Sequence, residues 1–184
     1  VGIFVPFFVA TSILVFGWKE ELPESGAALS IPLPYAFLAG ALGIFLLGLL
    51  DDLYHFRPAT KFVFQLLAAN IFILAGGVIG VTGFLTLDLL FTYFWFIGIT
   101  NALNMLDNMD GLASGVAIIA LGSNAFLIHT TAGGDQPDIG FFIGLTLIAS
   151  TLGFWMFNRP PASIFMGDSG ALFLGYVLAA LTMP

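Results

Sequence analysis

Seven apolar runs divide this sequence, and no other feature constrains its fold as strongly. A helix needs about 20 mostly apolar residues to cross a bilayer, with a range of roughly 17–25. The runs, separated by polar or Gly/Pro breaks, are residues 2–17, 33–50, 62–80, 84–103, 112–131, 140–157 and 170–184. They are continuous rather than alternately polar and apolar, which favours helices over membrane strands. We therefore predict an all-α, polytopic transmembrane helix bundle of about seven spans, forming a single domain over residues 1–184.

The composition supports a membrane protein and excludes several other classes. The chain is 59% hydrophobic and only 8% charged, whereas soluble domains carry roughly 25% charged residues. It has no cysteine, which excludes disulfides and thiolate metal sites. The net charge is -7 with four basic residues, and a nucleic-acid partner would require a basic face. A phosphate ligand is still compatible with this charge when a divalent cation accompanies it.

The chain begins with Val1 inside an apolar run and ends with an apolar stretch at Pro184. It has no initiator methionine, signal peptide or polar tail. We therefore expect a fragment of a longer protein, with spans missing at one or both ends.

Successive connections between the predicted spans fall on alternate sides of the membrane. One side receives residues 51–61, 104–111 and 158–169. Three of the four basic residues lie in these segments, namely Arg57, Lys61 and Arg159. The positive-inside rule therefore assigns this side to the cytoplasm.

The same alternation gathers carboxylates and amides on the predicted cytoplasmic side. The members are Asp51, Asp52, Asp107, Asp110, Asp168, Asn101, Asn104 and Asn158. Ionisable groups at membrane depth are costly and are rarely kept without a function. Asp88, Asp135 and Asp138 fall on the opposite side, and we interpret them as solvated loop charges.

Asp51 and Asp52 end an apolar run, where two adjacent carboxylates repel each other. A helix C-terminus also disfavours anions. We expect a positive group, either Mg²⁺ or Lys61, to compensate them. The alternative is a solvated acidic cap without a function.

Asn101, Asn104, Asp107 and Asp110 recur every three residues, so that neighbouring members can touch on a helix. Four oxygen-bearing side chains suit a hard cation such as Mg²⁺, which takes few protein ligands and completes its shell with water and phosphate oxygens. The alternative is a polar re-entrant turn between two spans.

Asp168 follows Gly167 and precedes a new apolar run. This arrangement predicts a carboxylate and free backbone N–H groups at a helix start, which suits a metal–phosphate complex. The alternative is that Asp168 is a helix N-cap, a common position for aspartate.

Taken in order, these three segments resemble the polyprenyl-phosphate N-acetylhexosamine-1-phosphate transferases (glycosyltransferase family 4). The matching stretches are Gly48–Gln65, Asn101–Ala113 and Asn158–Gly175. The resemblance implies a cytoplasmic active site at which a lipid phosphate attacks the β-phosphorus of a UDP-sugar. The products would be a lipid-diphospho-sugar and UMP. Asn108 departs from the pattern, because the family usually has glycine there.

The resemblance also implies a role for each matching residue. The implied metal ligands are Asp168, Asp107 and Asn104. The implied catalytic residues are Asp51, Asp52, Asp107 and Lys61. The implied substrate-binding residues are Asn101, Asn108, Asp110, Asn158 and Gly167.

The cofactor that the resemblance implies is Mg²⁺, with Mn²⁺ as a substitute. The implied partners are a UDP-sugar, polyprenyl (undecaprenyl) phosphate, the lipid bilayer and a second copy in a homodimer. The implied location is the cell membrane.

Two branches of the family compete, and one rival belongs to another class. The run from Asp107 to Gly111 looks more like the branch that loads N-acetylglucosamine 1-phosphate for O-antigen, teichoic acid or related glycans. The branch that uses UDP-N-acetylmuramoyl-pentapeptide is the alternative. A membrane transporter is the non-enzymatic rival, and it would place its polar groups near the bilayer midplane.

Overall fold

The computed structural model describes residues 2–17, 31–131 and 139–183 of the chain. Within these residues it consists of helices and contains no strand. The helices are α1 (Phe4–Gly17), α2 (Leu33–Tyr54), α3 (Pro58–Leu74), α4 (Leu85–Leu106), α5 (Leu112–Thr131), α6 (Ile139–Asn158) and α7 (Gly167–Leu181). The predicted all-α helix bundle is confirmed.

Four of the helices, α2, α4, α5 and α6, are long and apolar enough to cross a membrane. The other three are shorter apolar helices of 14, 17 and 15 residues. At a rise of 1.5 Å per residue, each is about 25 Å long or less. Four of the seven predicted spans therefore have the length and apolar character of a full crossing, and α3, with 17 residues, lies at the lower end of the expected range.

Helix α7 lies at the centre of the bundle. Every residue from Ser169 to Ala180 is buried, and a helix that is buried on all sides must be surrounded by other helices. It packs most extensively against α2 and α4. The polar first turn of α7 is therefore held among the ends of its neighbours.

Two glycines allow α7 to approach its neighbours at backbone distance. A Cβ atom on Gly48 of α2 would lie 2.5 Å from Ser169 Cα, and one on Gly175 of α7 would lie 2.5 Å from Thr100 Cα. Small residues at such crossings are typical of packed membrane helices. These contacts fix the start of α7 against α2 and its middle against α4.

The ends of α2 and α3 differ from the predicted ends. Helix α2 continues beyond residue 50 to Tyr54 and stops where His55 adopts a left-handed φ of 54°. Helix α3 begins at Pro58, because proline suits the first helical position. It ends at Leu74, before Gly76 takes a φ of 102°. The acidic pair Asp51–Asp52 therefore lies in the last turn of α2 rather than in a loop after it.

Candidate functional site

Four helices meet at the carboxylate of Asp168. Lys61 of α3 forms ion pairs with Asp51 of α2, at 2.5 Å, and with Asp168 in the first turn of α7. Asn104 of α4 donates from Nδ2 to Asp168 Oδ1 at 2.8 Å. We name these four residues the Asp168 cluster. Lys61, one of the two compensating groups that the sequence allowed for the acidic pair, contacts Asp51.

Asp51 is the most deeply buried member of the cluster, with only 4% of its surface exposed. Its Oδ1 accepts a hydrogen bond from the backbone N–H of Phe56 at 2.7 Å, and its Oδ2 contacts Lys61. A buried carboxylate is tolerated only when it is paired and hydrogen-bonded. Asp51 satisfies both conditions through the turn that follows α2 and through α3.

Asp52 caps the start of α7 from a different helix. Its Oδ1 accepts from the backbone N–H of Asp168 at 2.8 Å, and its Oδ2 accepts from that of Ser169 at 3.1 Å. The first N–H groups of a helix have no partner within the helix. Met166, at the N-cap position, supplies no side-chain bond. Asp52 therefore supplies the missing acceptors.

This contact corrects two interpretations of the third sequence segment. Asp168 is not the N-cap, because α7 begins at Gly167 and the Asp168 side chain points to Lys61 and Asn104. The N–H groups of Asp168 and Ser169 are not free for a phosphate, because Asp52 already accepts from both. Sequence reasoning missed this role because the two segments are 116 residues apart.

A cavity of about 280 Å³ lies next to the cluster. Its lining includes five of the predicted site residues, which are Asp107, Asn108, Asp110, Asn158 and Gly167. Met109, Phe165 and Met166 complete the lining. The structure thus brings together residues from the α4–α5 connection, the end of α6 and the start of α7.

Asp107 connects the cavity with the cluster. Burial raises the pKa of the Asp107 carboxyl to about 6, the nearby charges of Asp168 and Asp52 raise it as well, and a hydrogen bond from the Gly167 backbone lowers it. Such a group exchanges its proton near neutral pH, which suits either acid–base chemistry or a cation that replaces the proton.

Two predicted residues at the cavity hold the loop before α7. Asn158 is buried, and its Oδ1 accepts from Ser114 Oγ at 2.8 Å while its Nδ2 donates to the Ile164 carbonyl at 3.0 Å. Asp110 accepts from the backbone N–H of Ala162 at 3.0 Å. Ser114 was missed by sequence reasoning. The only signal for Ser114 in the sequence is that a small polar residue stands in the first turn of an apolar helix.

The amides and carboxylates of the predicted row, Asn101 to Asp110, contact different partners. Asn101 is bonded to Gln65 of α3 by an Nδ2–Oε1 contact of 2.7 Å, and it does not line the cavity. Asn104 turns to Asp168. Asp110 lies beyond the end of α4, which stops at Leu106. Gln65, which is buried, is a second polar residue that sequence reasoning missed.

The predicted magnesium ligands offer donors of the correct chemistry. Asp168, Asp107 and Asn104 supply carboxylate and amide oxygens, which Mg²⁺ prefers, and Mg²⁺ needs few protein ligands. The charge of Asp168 raises the pKa of Asp107, and a divalent cation between them would relieve that repulsion. In the described part of the chain, no three His, Cys, Asp or Glu side chains are grouped closely enough to hold a metal by themselves. A cation here would therefore need substrate or water oxygens as well.

Asp88 does not behave as a solvated loop charge, and that interpretation is wrong. Its side chain is buried, and its Oδ1 accepts from the backbone N–H of Thr82 at 2.9 Å and from Thr82 Oγ1 at 2.7 Å. It closes the turn that leads into α4. Asp135 and Asp138 lie outside the described residues.

Fold and site together define a membrane-embedded helix bundle with a carboxylate- and amide-lined site at the ends of its helices. The sequence profile described as Glycosyl transferase family 4 matches residues 34–184, and the chain belongs to that family.

Among curated relatives, the chain is 39% identical over 159 residues to the Probable undecaprenyl-phosphate N-acetylglucosaminyl 1-phosphate transferase of Bacillus subtilis (strain 168). That match covers 80% of this chain and 43% of the relative. The chain is 33% identical over 189 residues to the Phospho-N-acetylmuramoyl-pentapeptide-transferase of Streptococcus pneumoniae (strain Hungary19A-6), covering 98% and 57%. A protein of the same description from Limosilactobacillus reuteri (strain DSM 20016) is 38% identical, covering 75% and 47%. The chain thus spans about half the length of the curated relatives that it matches.

Proposed function

We propose that this chain forms part of a transferase that moves N-acetylglucosamine 1-phosphate from a UDP-sugar to undecaprenyl phosphate or a similar polyprenyl phosphate. The reaction would begin the synthesis of a cell-envelope glycan. The observation that carries the proposal is the Asp168 cluster, joined from four helices, next to a cavity lined by five residues of the expected site. The names of the relatives support this reaction class.

In the proposed reaction, an oxygen of the lipid phosphate forms a bond to the β-phosphorus of the UDP-sugar. The bond from that phosphorus to the oxygen bridging to the α-phosphate breaks, and UMP leaves. Phosphoryl transfer depends mainly on positioning and on charge neutralisation. A membrane-embedded site suits a lipid acceptor, because the reacting phosphate remains attached to a chain in the bilayer.

Lys61, Asp107 and Asp52 would each have a separate role in this reaction. Lys61 places a positive charge between Asp51 and Asp168, where it can contact a phosphate oxygen. Asp107, with a pKa near 6, can hold or release a proton at the cavity. Asp52 keeps the first turn of α7 in place, and therefore keeps Asp168 at the junction of the helices.

Mg²⁺ would supply neutralisation of the diphosphate charge when bound, and Asp168, Asp107 and Asn104 are the residues that would hold it. The site would face the cytoplasm, because Arg57, Lys61 and Arg159 all lie on its side of the predicted topology. UDP-sugars are cytoplasmic substrates, so this orientation agrees with the proposed donor.

Transfer of N-acetylmuramoyl-pentapeptide phosphate is the second candidate. The support for this candidate is that relatives with that description match this chain at 33–38% identity. One of these matches covers 98% of this chain. The donors share the UDP group and differ in the sugar, so the same cluster could act on either.

The test is UMP release by the full-length protein in membranes that contain undecaprenyl phosphate. We expect release from UDP-N-acetylglucosamine that depends on Mg²⁺ and is lost in Asp168→Asn. Asp88→Asn is the matched control, since Asp88 is also buried and hydrogen-bonded but closes the turn before α4. Release only from UDP-N-acetylmuramoyl-pentapeptide would favour the second candidate. No release from either donor would refute the proposed transferase function and favour the alternative hypothesis of a membrane transporter.

A further inference from the structure

Helices α3 and α4 are joined by a reciprocal pair of side-chain amides one turn from the Asp168 cluster. Asn101 Nδ2 donates to Gln65 Oε1 at 2.7 Å, and Gln65 Nε2 donates to Asn101 Oδ1 at 3.4 Å. Gln65 is only 3% exposed. A buried amide without a partner would cost free energy, so the two side chains hold each other in place.

The amide pair lies directly behind the two side chains that reach Asp168 from α3 and α4. Gln65 follows Lys61 by four residues on α3, and Asn101 precedes Asn104 by three residues on α4. Residues with these spacings share a helix face. The separation of the helices at the amide pair therefore sets the separation of Lys61 and Asn104.

The packing of α3 against α4 includes an edge-on contact between Phe72 and Phe96, with ring centroids 5.4 Å apart, near the end of α3 that is distant from Lys61. Helix α3 packs more extensively on α2 than on α4. Its residues Phe62, Val63, Phe64 and Leu67 face outward. Helix α7, by contrast, is fixed to α4 by backbone contact at Gly175. Helix α3 is therefore positioned relative to Asp168 by its packing on α2 and by side-chain contacts with α4, among which the amide pair is the one nearest to Lys61 along α3.

We propose that Gln65 is a positioning residue, whose amide pair with Asn101 holds Lys61 and Asn104 where both reach Asp168. This inference rests on the proposed function for its catalytic consequence. It also reassigns Asn101 from substrate binding to positioning, because its amide faces Gln65 and it does not line the cavity.

The test variant is Gln65→Met, which keeps the length of the side chain and removes both hydrogen bonds. Asn101 retains a bond to the Ile97 carbonyl at 2.8 Å, so the variant leaves it with a partner. The control is Tyr93→Phe, which removes another α3–α4 hydrogen bond, from Tyr93 Oη to Asn70 Oδ1 at 2.6 Å. Asn70 lies more than two turns beyond Lys61 along α3.

Two readouts on the full-length protein in bilayers separate positioning from stability. The first is kcat and KM for UMP release from UDP-N-acetylglucosamine. The second is acetylation of Lys61 by acetic anhydride, followed by mass spectrometry, which requires no activity. The ion pairs to Asp51 and Asp168 protect the Lys61 amine, and its acetylation rate rises when they loosen.

We expect Gln65→Met to lower kcat by about 10- to 100-fold, as small misplacements of reacting groups do, with little change in KM. Lys61 acetylation should become several-fold faster. Tyr93→Phe should leave both readouts unchanged, and the exchange Gln65→Asn with Asn101→Gln should restore both. If Gln65→Met does not accumulate, Gln65→Leu removes the same bonds and is measured instead.

Unchanged Lys61 acetylation in the Gln65 variant would overturn the inference, whether or not kcat falls. Faster acetylation to the same degree in Tyr93→Phe would also overturn it, because the effect would then be general loosening of α3. A wild-type protein that releases no UMP would refute the proposed function, and the acetylation readout would still decide whether Gln65 positions Lys61.

Discussion

Lys61 joins two carboxylates from different helices, and replacing it with methionine should separate its structural role from its chemical one. The substitution keeps most of the apolar stem and removes the charge. Asp51 then loses its counter-ion while its side chain remains only 5% exposed. Asp168, whose side chain is 27% exposed, loses one partner and keeps its bond from Asn104.

The cost follows from these exposures. Removal of one partner from a fully buried ion pair costs about 3–5 kcal/mol. Lys61 and Asp168 are partly solvated, and exposed pairs contribute about 0–1 kcal/mol. Asp51 keeps its bond from the Phe56 backbone. We therefore expect Lys61→Met to lower the free energy of unfolding by about 2 kcal/mol, between these two limits.

A double variant tests this reasoning. In Lys61→Met with Asp51→Asn, the buried charge that lost its partner is also removed, so stability should recover toward that of the wild type. UMP release should stay low in both variants, because neither restores a cation beside Asp168. Stability is measured by denaturant or thermal unfolding in one detergent, and activity in membranes.

A single variant as stable as the wild type would show that the ion pairs do not stabilise the fold. A double variant less stable than Lys61→Met would show that the unpaired charge of Asp51 is not the source of the loss. Either result would refute the assignment of the stability loss in Lys61→Met to an unpaired, buried Asp51 carboxylate. Full UMP release by Lys61→Met would remove Lys61 from the proposed chemistry.

Two further predictions concern the contacts around the site. Gly48→Ala should destabilise the protein by about 1–3 kcal/mol, because the new Cβ would lie 2.5 Å from Ser169 Cα. The control is Gly43→Ala on the same helix, which should not destabilise the protein because the new Cβ would have no atom within 4 Å. Unfolding measurements compare the two variants, and equal stabilities would contradict the close packing of α2 and α7. Mg²⁺ binding, measured by titration calorimetry, should tighten as the pH passes upward through about 6, where Asp107 of the metal-free protein loses its proton, and Asp107→Asn should weaken the binding and remove this pH dependence. Equal Mg²⁺ affinity below and above that pH in the wild type would contradict the assignment of Asp107 as a ligand.

The helices and most members of the site could be predicted from the sequence because both depend on local patterns. Apolar run length locates the ends of the seven helices to within six residues. Because successive connections alternate between the two sides of the membrane, Asp51, Asp107 and Asp168 are predicted to lie on one side. In the structure Lys61 pairs with both Asp51 and Asp168, and the charge of Asp168 raises the pKa of Asp107.

The details that sequence could not give depend on which helices touch. Gly48 appears in the sequence as one glycine among 22, and only the structure shows that it admits the backbone of α7. Gln65 and Ser114 are polar residues in mostly apolar helices, and their roles depend on partners from other helices. The interpretation of Asp88 is wrong for a more local reason, because the turn just before α4 folds back over its side chain.

The position of Asp52 affects how any mutational study of this site must be interpreted. Both oxygens of Asp52 hold the N-terminus of α7, and the first of the N–H groups that they bind belongs to Asp168 itself. An Asp52 substitution will therefore move Asp168 even if Asp52 never touches substrate. Loss of activity in such a variant is not sufficient to make Asp52 a catalytic residue. The oxygens of Asp51, by contrast, accept from the Phe56 backbone and from Lys61, so comparison of the two neighbouring aspartates separates support of the α7 backbone from chemistry at the cluster.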